Sequence, residues 1–149
     1  MLNMKAVLLI ATFLMLLGCG SSPQGINGHW DAQMFNTTNP LAYSFSAVLT
    51  QGSSAAVNVS NFNFAISPSC FAAQTSETAS FTVTGKANGL EIGNFNMAIS
   101  AAPSGTQNVL SVRGVRNPDG LITGTWTLTG STGCTANGTF SMSDGLPPV

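Results

Sequence analysis

The amino-acid sequence predicts an all-β fold, an up-and-down meander of about eight antiparallel strands closed into a small barrel. Apolar residues alternate with Ser, Thr and Asn at a period of two, turn-forming residues separate the runs, and no stretch sustains a helical period. A length of 149 residues suits one domain. A sandwich of two sheets is the alternative, because short strands with hairpin-length connections suit both architectures. An outer-membrane barrel is disfavoured because the strands lack girdles of aromatic residues.

Each predicted strand has one apolar face, on which apolar residues recur at every second position. The opposite faces carry mainly Ser, Thr and Asn, and the Thr residues between Thr123 and Thr129 are the clearest example. In chain order, the predicted apolar faces consist of Trp30; Tyr43, Phe45, Ala47 and Leu49; Phe62, Phe64 and Ile66; Phe81 and Val83; Phe95, Met97 and Ile99; Leu110 and Val112; Ile122, Gly124, Trp126 and Leu128; and Cys134, Ala136, Phe140 and Met142.

Turn-forming residues fall between these runs. The pairs Asn88-Gly89 and Asn137-Gly138 suit two-residue hairpin turns of type I′, and Asn117-Pro118-Asp119-Gly120 suits a four-residue turn. Asn27-Gly28 marks the entry to the first strand. The alternation slips by one residue at Gly93-Asn94, which indicates a bulge or a sharp bend at that point.

The N-terminal segment, residues 1–18, has the organisation of an export signal. Lys5 precedes an apolar run over residues 6–17, and this run is shorter than the roughly 18 residues of a membrane-spanning helix. The sequence Leu16-Leu17-Gly18-Cys19 resembles the lipobox of bacterial lipoproteins. The resemblance implies cleavage before Cys19, a diacylglycerol thioether on its sulfur and a further acyl group on its amine. An ordinary secretory signal with a chance Cys is the alternative.

An acylated Cys19 makes the membrane the expected partner, because about two lipid signals suffice for stable anchoring. Residues 19–26 are then the lipidated Cys and a flexible tether, residues 27–145 the β domain and residues 146–149 a C-terminal tail. The six residues from Gly20 to Gly25 reach at most about 20 Å, so the domain is expected close to the bilayer. Gly20, where enteric bacteria use Asp to retain lipoproteins in the inner membrane, favours the outer membrane.

The three cysteines divide into one lipid site and one pair. With Cys19 assigned to lipid, Cys70 and Cys134 are expected to form a disulfide in an oxidising compartment. Two free buried thiols, or part of a metal site, are the alternatives. Zinc needs three or four ligands, and the chain offers only His29 besides these cysteines, so we expect no metal.

The charged residues are too few for several classes of function. Four Lys and Arg against five Asp and Glu, a net charge of -1, exclude a basic nucleic-acid surface. No phosphate-binding loop or dinucleotide motif is present, and no cofactor is expected. His29 and Asp31 share one strand face and form the only candidate pair for a hydrolase, without a nucleophile-elbow motif. Arg113 and Arg116 near Asp119 are expected to form a solvated strand end, with an anion-binding site as the alternative. The domain is therefore expected to be non-enzymatic.

Five aromatic residues on predicted inward faces are the candidate ligand contacts: Trp30, Phe45, Phe64, Phe95 and Trp126. They favour a binding module that holds a small apolar ligand inside or at the mouth of the barrel. The same rings also suit a filled core. A structural or interaction lipoprotein, whose neutral hydroxyl-rich face contacts envelope polymer or partner proteins, is therefore the alternative function.

Gly28-His29-Trp30 resembles the Gly-x-Trp of lipocalins and other calycins, whose Trp closes one end of an eight-stranded barrel. The C-terminal helix of lipocalins, and the Arg that their last strand packs on that Trp, are not evident in the sequence. The order of elements, from the lipobox through Gly124-Thr125-Trp126 and Gly133-Cys134 to Gly138-Thr139-Phe140, resembles small exported lipoproteins of Acidobacteria-type soil bacteria. That resemblance implies no activity.

Overall fold

A computed structural model describes residues 25–36, 43–65, 70–71, 75–100 and 107–145 of the protein. Its eight antiparallel strands follow one another around a closed barrel in sequence order, and the first strand pairs with the last. The barrel is therefore confirmed over the two-sheet sandwich. The strands are β1 Gly28–Phe35, β2 Tyr43–Gln51, β3 Ala56–Ala65, β4 Thr75–Ala87, β5 Leu90–Ile99, β6 Val109–Arg116, β7 Ile122–Thr129 and β8 Ala136–Asp144.

Several sequence-based predictions lie outside the described residues: the export signal over residues 1–18, lipidation of Cys19, the tether up to residue 24, the inward position of Ile66, and the tail over residues 146–149. Gly25 is the first residue that the structure describes. In the described ranges, the chain forms no helix with the length and apolar character needed to span a membrane.

The period-two pattern puts the apolar faces inside the barrel, as predicted. In β2, for example, Phe45, Ala47 and Leu49 are buried while the residues between them are more exposed. The inward side chains of all eight strands form one continuous hydrophobic core. Removing this apolar surface from water is the main driving force for closing the sheet.

Strand direction gives the barrel two distinct ends. At the Trp30 end lie Gly25 to Asn27, the turn at residues 88–89 and Gly145, which donates a backbone hydrogen bond to His29 at 2.7 Å. At the disulfide end lie the connections from β1 to β2, β3 to β4, β5 to β6 and β7 to β8. The chain therefore enters the described barrel at the Trp30 end.

The turns at Asn88-Gly89 and Asn117 to Gly120 are confirmed, but the turn predicted at Asn137-Gly138 is wrong. Both residues lie inside β8, where Asn137 pairs with Thr127 and Gly138 with Trp126. A Cβ at Gly138 would overlap the carbonyl oxygen of Phe35. Glycine is required here by a close approach between backbones and not by a turn.

The irregularity predicted near Gly93 exists, but the extra residue belongs to the neighbouring strand. Val83 pairs with Gly93 and Gly85 pairs with Ile92, so Thr84 is the additional residue in β4. Val83 comes directly before this bulge and pairs in the same register as Phe81, yet its side chain is 41% exposed, whereas the sequence pattern predicted it to be buried.

Gly124 offers a direct test of the barrel's packing. It pairs with Gly114, and a Cβ at Gly124 would lie 2.6 Å from the Gly114 Cα and overlap the carbonyl oxygen of Arg113. Gly124→Ala should lower the free energy of unfolding by about 1–3 kcal/mol through this overlap. Gly52→Ala is the matched control, because no heavy atom lies within 4 Å of its added Cβ. Chemical denaturation of both variants checks the prediction, and equal stability would contradict the close approach.

Candidate functional site

The five candidate ligand contacts all point into the core. Trp30, Phe45, Phe64, Phe95 and Trp126 are between 0% and 6% exposed. The structure brings Phe45, Phe64 and Trp126 into the half of the core near the disulfide end. It places Trp30 at the opposite end, so the five do not line one common pocket.

Rings of the protein itself surround the aromatic residues near the disulfide end. Tyr43 lies 6.0 Å from Phe64 and 5.3 Å from Trp126 between ring centroids, and Phe62 lies 5.6 Å from Phe45. These separations are those of favourable stacked and edge-to-face pairs. The indole N–H of Trp126 donates to the carbonyl of Thr139 at 3.0 Å. These candidate ligand contacts therefore pack against other side chains of the protein itself.

Phe71 covers this aromatic cluster at the disulfide end. Its buried ring packs edge-on against Phe62 at 5.9 Å and Phe64 at 5.4 Å. The sequence pattern did not single out Phe71, because it lies outside the strands. Its position next to Cys70 is the one signal that ties it to the core.

The predicted disulfide between Cys70 and Cys134 is confirmed, with 5.7 Å between the two Cα atoms. Buried Asn108 reinforces it by donating from Nδ2 to the carbonyl of Cys70 at 2.8 Å. The Oδ1 of Asn108 accepts hydrogen bonds from the backbone N–H of Ser131 at 2.9 Å and from its hydroxyl at 3.2 Å. The disulfide and these bonds join the segment that carries Phe71 to the connection between β7 and β8.

Trp30 and Arg116 close the other end of the barrel. The Arg116 guanidinium lies 5.5 Å from the Trp30 ring, within cation–π distance, and donates to the carbonyl of Gly25 at 2.8 Å. The Trp30 indole N–H donates to the carbonyl of Ile26 at 2.8 Å, and the Ile26 side chain is fully buried. The segment from Gly25 to Ile26 is thereby held across the end of the barrel.

The prediction that Arg116 belongs to a solvated strand end with Asp119 is wrong. Arg116 is 3% exposed, and Asp119 instead accepts a hydrogen bond from the backbone N–H of Leu121. Burial lowers the pKa of the Arg116 guanidinium, while the carboxylates of Asp144 and Glu91 act in the opposite direction. Arg116 has the same parity as buried Leu110 and Val112, and this periodicity was the sequence signal for its inward position.

The contact between Arg116 and Trp30 can be compared with the Arg–Trp contact of the lipocalin Gly-x-Trp pattern. In that pattern an Arg of the last strand packs on the Trp, whereas here the Arg comes from β6. The two residues are 86 positions apart, so the contact is visible only once the barrel has closed.

His29 and Asp31 lie close together near the Trp30 end. His29 Nε2 lies 3.3 Å from Asp31 Oδ1. No hydroxyl of the described residues hydrogen-bonds to the His29 ring. The described chain also contains no group of three His, Cys, Asp or Glu residues placed to hold a metal ion. Within the described part of the chain, the pair therefore has no hydroxyl partner of the kind that a Ser-His-Asp mechanism requires.

Two shallow grooves lie on the outside of the barrel and share Ser111 and Arg113 of β6. One, of about 380 Å³, extends over β7 and β8 to Thr127 and Asn137. The other, of about 410 Å³, extends over β5 and β4 and includes Asn96. A third cavity, of about 420 Å³, opens at the Trp30 end beside the connection from β2 to β3. The sequence did not predict these grooves.

The chain has no significant match among protein-family models, curated proteins or solved structures. The candidate sites on the described chain are the aromatic core, the Trp30 end and the outer face around Arg113.

Proposed function

We propose that this chain is an exported, lipid-anchored envelope protein whose small barrel acts non-catalytically through its outer surface, as a structural or interaction module. One observation favours the outer surface of the barrel over its interior as the place where a partner binds. The rings near the disulfide end pack against other rings of the protein, and Phe71 covers them. An interior of this kind stabilises the barrel, whereas a binding site for a small apolar ligand needs a cavity of roughly 300 Å³ or more.

The cysteine arrangement supports the anchoring part of the proposal. Cys70 and Cys134 are joined to each other, which leaves Cys19 as the remaining thiol of the chain. A disulfide is the form expected of such a pair outside the reducing cytosol. These facts agree with export and with the lipobox at residues 16–19.

Anchoring at Cys19 would orient the barrel on the membrane. The chain enters the barrel at Gly25, and Arg116 holds that residue at the Trp30 end. A tether of about 20 Å or less then directs the Trp30 end towards the bilayer, and Gly20 after the lipidated Cys favours that of the outer membrane. The disulfide end and the sides of the barrel would face away from the lipid and be available to partners.

Metabolic labelling tests the anchor. The full chain, expressed in a bacterium fed a clickable palmitate analogue, should incorporate the label and fractionate with membranes. Cys19→Ser should lose the label completely, because it removes the sulfur that would carry the lipid. The Cys70→Ala/Cys134→Ala variant is the matched control and should still be labelled. Equal labelling of Cys19→Ser and the wild type would exclude this anchor.

Fatty-acid uptake tests whether the barrel interior binds a small apolar ligand. The detergent-solubilised full chain should leave the emission of a fluorescent fatty acid unchanged after subtraction of the signal from detergent alone. Phe71→Ala, which removes the ring that covers Phe62 and Phe64, should be the first variant to show uptake. Saturable uptake by the wild type would instead favour a small apolar ligand as the function of the barrel.

A further inference from the structure

We propose that the outer face of β5 to β8 binds an acidic polysaccharide, with Arg113 as the residue that recognises its acidic group. This inference rests on the proposed function, because it names the chemistry of the partner that the outer surface of the barrel would meet. The Arg113 face consists of Asn96, Ser111, Arg113, Thr125, Thr127 and Asn137.

Strand register places these six side chains side by side on the sheet. Arg113 is directly opposite Asn96 on one side and Thr125 on the other. Ser111 is opposite Thr127, which in turn is opposite Asn137. Neighbouring residues of this kind lie about 4.5–5.5 Å apart at Cβ, so the six side chains form one array of hydroxyl, amide and guanidinium groups. Exposed Ala98, opposite Ser111, is an apolar neighbour at its edge.

Arg113 is the single charged residue of this face, and it is exposed. Within the described ranges, no hydrogen bond or ion pair engages its guanidinium. The other described arginine, Arg116, is buried against Trp30 and donates to backbone carbonyls. Arg113 therefore offers planar guanidinium donors that suit a carboxylate or a similar acidic group.

The two grooves give the face the shape for an extended chain. They lie on either side of Ser111 and Arg113, one over β7 and β8 and the other over β4 and β5. A polymer that crosses β6 would fill both grooves and pass Arg113 between them. Volumes of about 380 and 410 Å³ fall in the range of small-molecule sites.

The chemistry of the lining favours a sugar acid over other anions. Sugar hydroxyls both donate and accept hydrogen bonds, as do the Ser and Thr hydroxyls and the Asn amides of the face. One cation among neutral hydrogen-bonding groups matches a polymer with one acidic group among many hydroxyls. A strongly anionic polymer such as nucleic acid would need several cations in this area.

Titration of the full chain in detergent with a short xylan oligomer that carries a single glucuronic acid tests the proposal. The wild type should bind it saturably, and the neutral xylan oligomer should bind more weakly. Arg113→Gln should weaken binding of the acidic oligomer by about tenfold, the loss typical of one hydrogen-bonded ionic contact. Arg113→Lys should weaken it less, because a charge remains but the planar donor pair is lost.

Lys86→Gln is the matched control, because it removes the same charge from an exposed site at the far end of β4. It should bind as the wild type does. No saturable binding by the wild type, or an equal loss in Lys86→Gln and Arg113→Gln, would overturn the proposal. Equal binding of short poly-glutamate would also overturn it, because the face would then recognise charge and not sugar.

The intact mass of the same protein preparation reports whether Cys19 is acylated. It therefore distinguishes failure of the Arg113 proposal from failure of the anchor proposal. Sugar binding without acylation at Cys19 would refute the anchor and leave the Arg113 site intact. Acylation without sugar binding would refute the Arg113 site and leave the anchor intact.

Discussion

Trp30→Ala should lower the free energy of unfolding by about 3–5 kcal/mol, the largest loss we expect from a single substitution in this protein. The side chain is 1% exposed, its indole N–H bonds to the carbonyl of Ile26, and its ring lies against Arg116. Truncation would leave a cavity and remove the ring partner of a buried guanidinium. Chemical denaturation followed by far-UV circular dichroism measures the change.

Val115→Ala is the matched control for this substitution. Val115 lies on β6 next to Arg116, but its side chain is 46% exposed and faces outward. The variant should stay within about 0.5 kcal/mol of the wild type. A loss below about 1 kcal/mol for Trp30→Ala would show that the ring does not hold the end of the barrel.

Replacing both disulfide cysteines should have the second-largest effect. Cys70 and Cys134 are 64 residues apart, and closing a loop of that length restricts the unfolded chain by about 4 kcal/mol in the chain-entropy model. The Cys70→Ala/Cys134→Ala variant should lose up to that amount, and alanine avoids burying new hydroxyl groups. Urea denaturation of the wild type and the variant gives the difference.

A reducing agent provides the control for the disulfide. It should destabilise the wild type by a similar amount and leave the double variant unchanged, because only the wild type has a bond to reduce. Equal stability of wild type and variant in the absence of reductant would contradict a stabilising role for this bond.

The fold was predictable because one regular signal runs through the whole chain. Alternation in β2 and β5 predicted which side chains are buried, and Asn88-Gly89 marked the turn between β4 and β5. The turn predicted at Asn137-Gly138 was wrong, because glycine suits a close approach between two backbones as well as a turn. The alternation also predicted a buried Val83, but this side chain, directly before the bulge at Thr84, is 41% exposed.

The sites were less predictable because they depend on contacts that are distant in sequence. Arg116 reaches Trp30 from β6, and Asn108 reaches Cys70 across the disulfide end. Arg113 is adjacent to Asn96 and Thr125 only after β5, β6 and β7 have paired in register. Periodicity assigns each residue to a face, whereas register decides which residues of that face are neighbours.

The mass of the full chain purified from bacterial membranes tests the central proposal, a lipid-anchored barrel, most directly. A single spectrum of the intact protein reports cleavage, acylation and the disulfide together. We expect a chain that begins at Cys19, carries acyl groups on that residue and lacks two hydrogens at Cys70 and Cys134. A chain that retains residues 1–18, or one that is cleaved but carries no lipid, would contradict it.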